Sequence, residues 1–287
     1  MAAVYKKELH GYFTSMIGYV VLAFMLFFPS IYFIFLNLYS GYPLFGYALS
    51  SISFIFLIAI PILTMRSLAE ERKNKTDQML FTSPVSLWKI ILGKYLAMIT
   101  IMALVCLMLC TCPLIIRMFG GIYTLSDYAC ILAFFLYGCA AIAIGLFISS
   151  LTESQIIACV GTFGILLILH LMPGMTEIIP DTSGASFLGF WILILAAAYC
   201  FFQITKNWLA GVIGAAAGTV ILAAAYLING DAFAGAFAAF LNSLSLASRF
   251  DSFVSQIFDL PAVVYYISIS VLFVFLTVQS VEKRRWS

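Results

Sequence analysis

Apolar residues run along this chain in long, almost uninterrupted blocks: Met16 to Leu38, Tyr47 to Met65, Tyr95 to Ile116, Tyr128 to Ile148, Gln155 to Met172, Phe187 to Ile204, Trp208 to Ile228 and Ala262 to Val278. A helix needs about 20 apolar residues to cross the hydrocarbon layer. Inside that layer only helices and closed barrels satisfy every backbone N–H and C=O group. The pattern therefore predicts an all-α polytopic membrane helix bundle of about eight transmembrane helices. The shorter blocks can be accommodated by small tilt or local thinning of the bilayer.

Composition removes the soluble alternative. Of 287 residues, 64% are hydrophobic and only 9% charged, whereas soluble domains carry roughly one quarter charged residues. Mean hydropathy is +1.12. The net charge of +2 points to no nucleic-acid partner, so the placement of charge carries the information. With eight spans and a cytoplasmic amino terminus, Lys6, Lys7, Arg66, Arg72, Lys73, Lys75, Lys89, Lys94, Lys206, Lys283, Arg284 and Arg285 fall inside, leaving Arg117 and Arg249 outside. This asymmetry obeys the positive-inside rule and places both termini in the cytoplasm. The first block is too long for a signal-peptide core and is expected to stay as an anchor. The chain reads as a single transmembrane domain, residues 1–287.

Polar segments between the blocks have their own patterns. Over residues 2–15, Tyr5, Leu9, Tyr12, Phe13 and Met16 share one helical face, with Lys6, Lys7 and His10 opposite. That pattern predicts an amphipathic helix lying on the inner surface before the first span. Residues 230–260 repeat Phe233, Phe237, Phe240 and Leu244, then Phe250, Phe253, Val254, Ile257 and Phe258, which predicts two short helices resting on the outer leaflet. No charge falls at a span centre; Lys89 and Lys94 are expected to reach the interface along their apolar stems. Pro29 should kink the first span, Pro61 and Pro113 lie near span ends, Pro173 should end the fifth span and Pro261 should start the last.

Most chemistries lack their parts. The seven cysteines lie in or beside apolar runs without His or acidic partners, as packing residues do. The two histidines, His10 and His170, are expected on opposite sides of the membrane. A phosphate loop would need G-x-x-x-x-G-K-[ST], but Trp88 stands at the first glycine position before Gly93-Lys94, and Tyr95 follows. No nucleophile and base, nor paired acids, face each other in the pattern, which argues against an intramembrane enzyme. Thr152 or Glu153 is expected to cap the fifth span. Gly214 and Gly218 form a G-x-x-x-G that permits close helix packing in the seventh block.

The remaining charge concentrates in the loop over residues 66–88. Arg66 to Leu80 favours helix, with Glu71 four residues before Lys75 in the stabilising order. Pro84 disfavours a helical Ser83, so a break at Thr82-Ser83-Pro84 and a second helix from Val85 are expected. Met79, Leu80 and Phe81 form an apolar tip on a charged loop, a composition suited to docking.

The stretch MRSLAEERKNKTDQMLFTSPVSLWKIILGKYLA resembles the signature of type-2 export permeases of the ATP-binding-cassette (ABC) transporters, near the gliding-motility-associated subfamily. The matching positions are Arg66, Ala69 to Arg72, Thr76, Leu80, Pro84, Val85, Gly93 and Lys94. SSLTESQIIA, Ser149 to Ala158, and the tail from Arg249 to Trp286 are similar as well. The resemblance implies a permease subunit of the bacterial plasma membrane with no nucleotide motif of its own. It implies two copies of a separate ATPase subunit holding ATP and Mg, and a second permease copy or paralogue. An additional protein outside the membrane fits the gliding-type likeness. Arg66, Glu70, Glu71, Arg72, Thr76, Met79, Leu80, Phe81 and Pro84 would then form the contact with the ATPase. The family plan has six spans, so the pair within residues 187–228 reads as an insertion. Substrate residues are not identified, and export of a solute and transmission of force to outer proteins remain open alternatives.

Overall fold

The computed structural model describes residues 1–76, 85–120, 125–205, 208–228 and 230–285. The expectations for Met79, Leu80, Phe81, Pro84, Lys206 and the Thr82–Pro84 break fall outside them. In chain order the α-helices are α1 (Ala2–Thr14), α2 (Met16–Tyr32), α3 (Phe45–Ser51), α4 (Phe56–Thr64), α5 (Ala69–Lys73), α6 (Leu87–Leu109), α7 (Thr111–Met118) and α8 (Leu125–Leu151). They continue as α9 (Gln155–Ile178), α10 (Ser183–Thr205), α11 (Trp208–Ile228), α12 (Ala236–Leu244), α13 (Leu246–Val254) and α14 (Leu260–Arg285). Among the described residues, six stretches are long and apolar enough to cross a membrane: Met16–Tyr39, Phe45–Lys73, Leu87–Met118, Leu125–Leu151, Gln155–Ile178 and Leu260–Arg284. The pair expected as an insertion forms α10 and α11, in which Ser183–Tyr199 and Gly214–Ala224 are shorter apolar stretches.

Two compact units divide the chain, one of Met1–His170 with Leu246–Ser287, the other of Leu171–Ser245. In the first, α8 is the central rod: 78% of its apolar window is buried, against 22% for the first span and 17% for α9, which leaves those two helices at the periphery. Helices α14, α6, α4 and α13 pack around it. The sequence supports that position because Gly138, Ala140, Ala141, Ala143 and Gly145 crowd two turns of α8 with small residues, and close backbone approach is what drives helix packing where lipid removes the hydrophobic incentive. A Cβ added at Gly145 would collide with the Thr64 side chain of α4. Rings fill the wider part of the same core, with Phe56 and Phe134 centroids 4.5 Å apart and Tyr137 stacked on Tyr266 at 6.0 Å. Buried hydroxyls find carbonyls, as buried polar groups must: Tyr266 Oη donates to Leu246 O at 2.7 Å and Tyr95 Oη to Cys139 O at 3.1 Å.

Several expectations change in this setting. Phe250, Phe253 and Val254 of α13 lie in the core and do not rest on a leaflet, because Phe250 meets Phe134 and Tyr137 of α8; Ile257 and Phe258 remain exposed. Pro173 does not end its helix, which continues to Ile178. Pro29 lies within α2, and the helix widens to π-type bonding over Phe33–Tyr39, where the loop beyond is held by Asn37 Nδ2 donating to Tyr42 O and Leu44 O. Helix α1 packs its apolar face on protein: Tyr12 is buried, and Tyr5 Oη lies 3.0 Å from Thr100 Oγ1 of α6.

In the second unit, α10 and α11 lie side by side. The two glycines of the G-x-x-x-G pair differ: a Cβ on Gly218 would sit 2.7 Å from Ile194 Cγ2, whereas one on Gly214 meets nothing within 4 Å among the described residues. Only Gly218 is at a close helix approach. Phe233 and Phe237 pack on Phe190 of α10, with centroids 6.3 Å and 5.3 Å away, and both stay half-buried.

Candidate functional site

The charged loop enters the structure as a five-residue helix, α5, clamped at both ends. At its start, Ser149 of α8 inserts a fully buried hydroxyl. Its Oγ accepts from Leu68 N at 3.3 Å and Ala69 N at 3.2 Å, and donates to Met65 O at 3.4 Å. A helix start leaves its first N–H groups without intrahelical partners, and here a residue 80 positions away supplies the cap. At its end, Lys75 takes a left-handed conformation with φ 56°. Lys75 N then donates to Arg72 O at 3.1 Å and Thr76 N to Glu71 O at 2.9 Å, the paired bonds of a Schellman stop. Thr76 Oγ1 adds a bond to the same carbonyl. Over the described part of the helix expected from Arg66 to Leu80, a turn at Met65–Leu68 delays the start to Ala69 and this reversal interrupts it after Lys73; residues 77–80 lie outside the described residues.

Glu70, Glu71 and Arg72 of α5 each have a different anchor. Arg66 pairs with Glu70 across one turn. Arg72 donates to Leu151 O at 3.1 Å and lies 2.6 Å from Glu153, which joins the loop to the segment between α8 and α9. Glu153 is therefore engaged by Arg72, and α9 starts at Gln155 with Thr152 and Glu153 ahead of it. Glu71 does not pair with Lys75, which has turned away into the stop. Its Oε1 lies 2.8 Å from Lys94 Nζ, and the same ammonium donates to Glu8 Oε1 at 2.9 Å and Ser67 O at 3.0 Å.

Lys94 was expected at the interface, yet its side chain is 1% exposed. It sits seven residues beyond Leu87, about 10 Å along the axis of α6, and is covered by α1 and the Met65–Leu68 turn. Gly93 makes the cover possible, since a Cβ there would stand 3.3 Å from Val4 Cβ. The Gly-Lys pair thus has a physical reading: the glycine admits α1 and the lysine binds it. Tyr12, one turn beyond Glu8, donates from Oη to Leu63 O at 3.2 Å. Burial pushes its phenol above the ordinary range, with the Glu8 carboxylate adding to the rise, so the hydroxyl stays a donor.

The structure therefore brings together Arg66, Glu70, Glu71, Arg72 and Thr76 of the expected contact. Met79, Leu80, Phe81 and Pro84 lie outside the described residues. Sequence reading missed Ser149, Lys94 and Glu8 as parts of the same site. Glu8 had a signal, since it falls between Tyr5 and Tyr12 on the helical face that is buried. Beside these residues runs an open groove of about 300 Å3 bordered by Lys7, Glu8, Tyr12, Arg66, Glu71 and Thr76. Charges of both signs line it. Its chemistry is ionic fastening.

The ABC-2 family transporter protein family matches residues 30–278 of the chain. Two curated relatives share 32% identity over 131 residues: the probable multidrug ABC transporter permease YbhR of Escherichia coli strain K12 and that of E. coli O157:H7. The match covers 44% of this chain and 33% of each relative, so the chain spans about a third of the length of the curated relatives it matches.

Proposed function

The chain belongs to the ABC-2 transporter family, as a multi-pass protein of the bacterial inner membrane, and we propose that it is the permease subunit whose 66–88 loop is gripped by a separate ATPase subunit. Two ATPases, holding ATP and Mg, close on nucleotide and displace the loops of two permease copies or of one copy and a paralogue. The displaced loops turn the spans as rigid bodies, and cargo moves along the path between the subunits. The finer likeness to the gliding-motility-associated subfamily rests on the sequence blocks alone.

One observation carries the reading. The AEER segment is fastened to α8 by Ser149, to the α8–α9 turn by Arg72 and to α6 and α1 through Lys94, so two of the three resembling blocks meet at one place. A free solvated loop could not pass displacement to the spans; a loop bonded on three sides can.

Charge reversal at Glu70 and an acidic residue at Leu80 test this reading. With Glu70→Lys/Leu80→Asp, the chain is expected to purify as folded protein but to lose its partner ATPase and the response of ATP hydrolysis to the permease. Assembly and response at wild-type levels would overturn the assignment. Sidedness has its own check: a lone cysteine at Asn74, with the native cysteines replaced, should resist an impermeant thiol reagent in intact cells and react once the cells are opened.

A further inference from the structure

We infer that Lys94 is the positioning residue through which displacement of the loop reaches the membrane. The inference rests on the proposed ATPase contact and goes beyond it by assigning the route. The Lys94 ammonium is 1% exposed and is held by Glu71 of the loop at 2.8 Å, Glu8 of the N-terminal helix at 2.9 Å and the Ser67 carbonyl at 3.0 Å. Groups from two segments, Glu8 lying 86 positions from Lys94 and the loop residues Ser67 and Glu71, thus converge on one atom. Lys94 itself is rigidly part of α6, whose helix continues 15 residues further to Leu109.

Burial decides what such a cluster is for. Desolvating an ammonium and two carboxylates costs several kcal/mol per ion before their attraction repays it, and apolar residues of similar volume often hold a fold equally well. Stability alone is therefore a poor reason for the cluster. Its distinctive property is stiffness: withdrawing Glu71 would leave a buried ammonium short of one carboxylate, so α5 and α6 must move together or pay for the separation. Lys94 is the short partner of the Glu71 carboxylate, whose other oxygen is buried without a hydrogen-bond partner. Lys7, 3.6 Å from Glu71 Oε1 but 69% exposed, is a solvated companion whose contact with Glu71 is weak. The bonds from α5 to α8 through Ser149 and to the α8–α9 turn through Arg72 are separate, and they stay in place when Lys94 is changed.

The arms of the cluster are tested with variants that keep neighbouring charges balanced. With the partner ATPase supplied at saturation, so that any loss of affinity at the Glu71 contact drops out, Glu71→Met and Glu71→Met/Lys94→Met are expected to lower the response of ATP hydrolysis to the permease, the double variant at least tenfold and no less than the single one. Glu8→Met, which keeps the loop-to-α6 pair, is expected to respond within twofold of wild type. A response within twofold in the double variant, or an equal loss in Glu8→Met, would overturn the inference. A second readout needs no ATPase. Nitroxide labels at Asn74 and Lys89, on a chain whose seven native cysteines are replaced, should show a distance distribution that broadens in Glu71→Met/Lys94→Met and stays narrow in Glu8→Met. An unchanged distribution in the double variant refutes the Lys94 tether. If instead the distribution broadens but the wild-type chain binds no ATPase, the proposed function fails and the tether stands.

Discussion

Ser149→Ala tests the cap on α5 with little disturbance elsewhere, because it removes one oxygen and no carbon from the core. The hydroxyl it removes accepts from the half-buried Leu68 N–H at 3.3 Å and the buried Ala69 N–H at 3.2 Å. Losing the acceptor leaves both donors without that partner, at a net cost of about 1 kcal/mol each for bonds of this length. A total of about 2 kcal/mol agrees with the upper end of measured N-cap losses and corresponds to a roughly 30-fold rise in the opening constant of the segment. Amide hydrogen exchange on the chain in lipid nanodiscs reads this directly over Met65–Lys73. Ser150→Ala is the control: Ser150 is equally buried, but its hydroxyl donates to Phe147 O at 2.6 Å within its own helix, so exchange in α5 should stay within twofold of wild type. The reasoning fails if Ser149→Ala leaves α5 exchange within threefold of wild type, or if Ser150→Ala matches it.

Lys75→Gly should stabilise the end of α5 by up to about 1 kcal/mol, since glycine adopts φ 56° without the Cβ clash that lysine bears; slower exchange at Asn74 to Thr76 would register it. Gly218→Val should weaken the packing of α10 on α11 and lower the thermal aggregation temperature in detergent, because even a Cβ would sit 2.7 Å from Ile194 Cγ2, while Gly214→Val should be tolerated; equal effects at the two positions would contradict the assignment of Gly218 alone to the close approach.

Membrane residence, helical class and the positions of the long spans were legible in the one-dimensional pattern, because a bilayer imposes length and polarity on any segment that crosses it. The twelve-to-two count of basic residues, taken on eight spans and a cytoplasmic amino terminus, is an expectation from a rule of the same local kind. The motif around Ala69–Arg72 could be noticed in the same way, since its residues are contiguous.

Its construction could not. The helix expected from Arg66 starts at Ala69 and is interrupted after Lys73, and the reasons lie in Ser149 and Lys75: one hydroxyl from a distant helix fixes the start, and a left-handed residue permits the stop. Lys94 shows the same limit more sharply. Read along the chain, it is a lysine at the margin of an apolar block, free to stretch toward water; only the packing of α1 over Gly93 and the arrival of Glu71 close off that water. The aromatic outer helices divide for a similar reason, with Phe250 drawn into the core by rings on α8 while Phe258 remains exposed. Local pattern determines which segments prefer lipid, because that preference is a property of each segment and its solvent. Which polar groups become partners is decided by the tertiary structure, because a buried charge or hydroxyl is satisfied by whatever the fold brings within about 3 Å, and that distance has no counterpart along the chain.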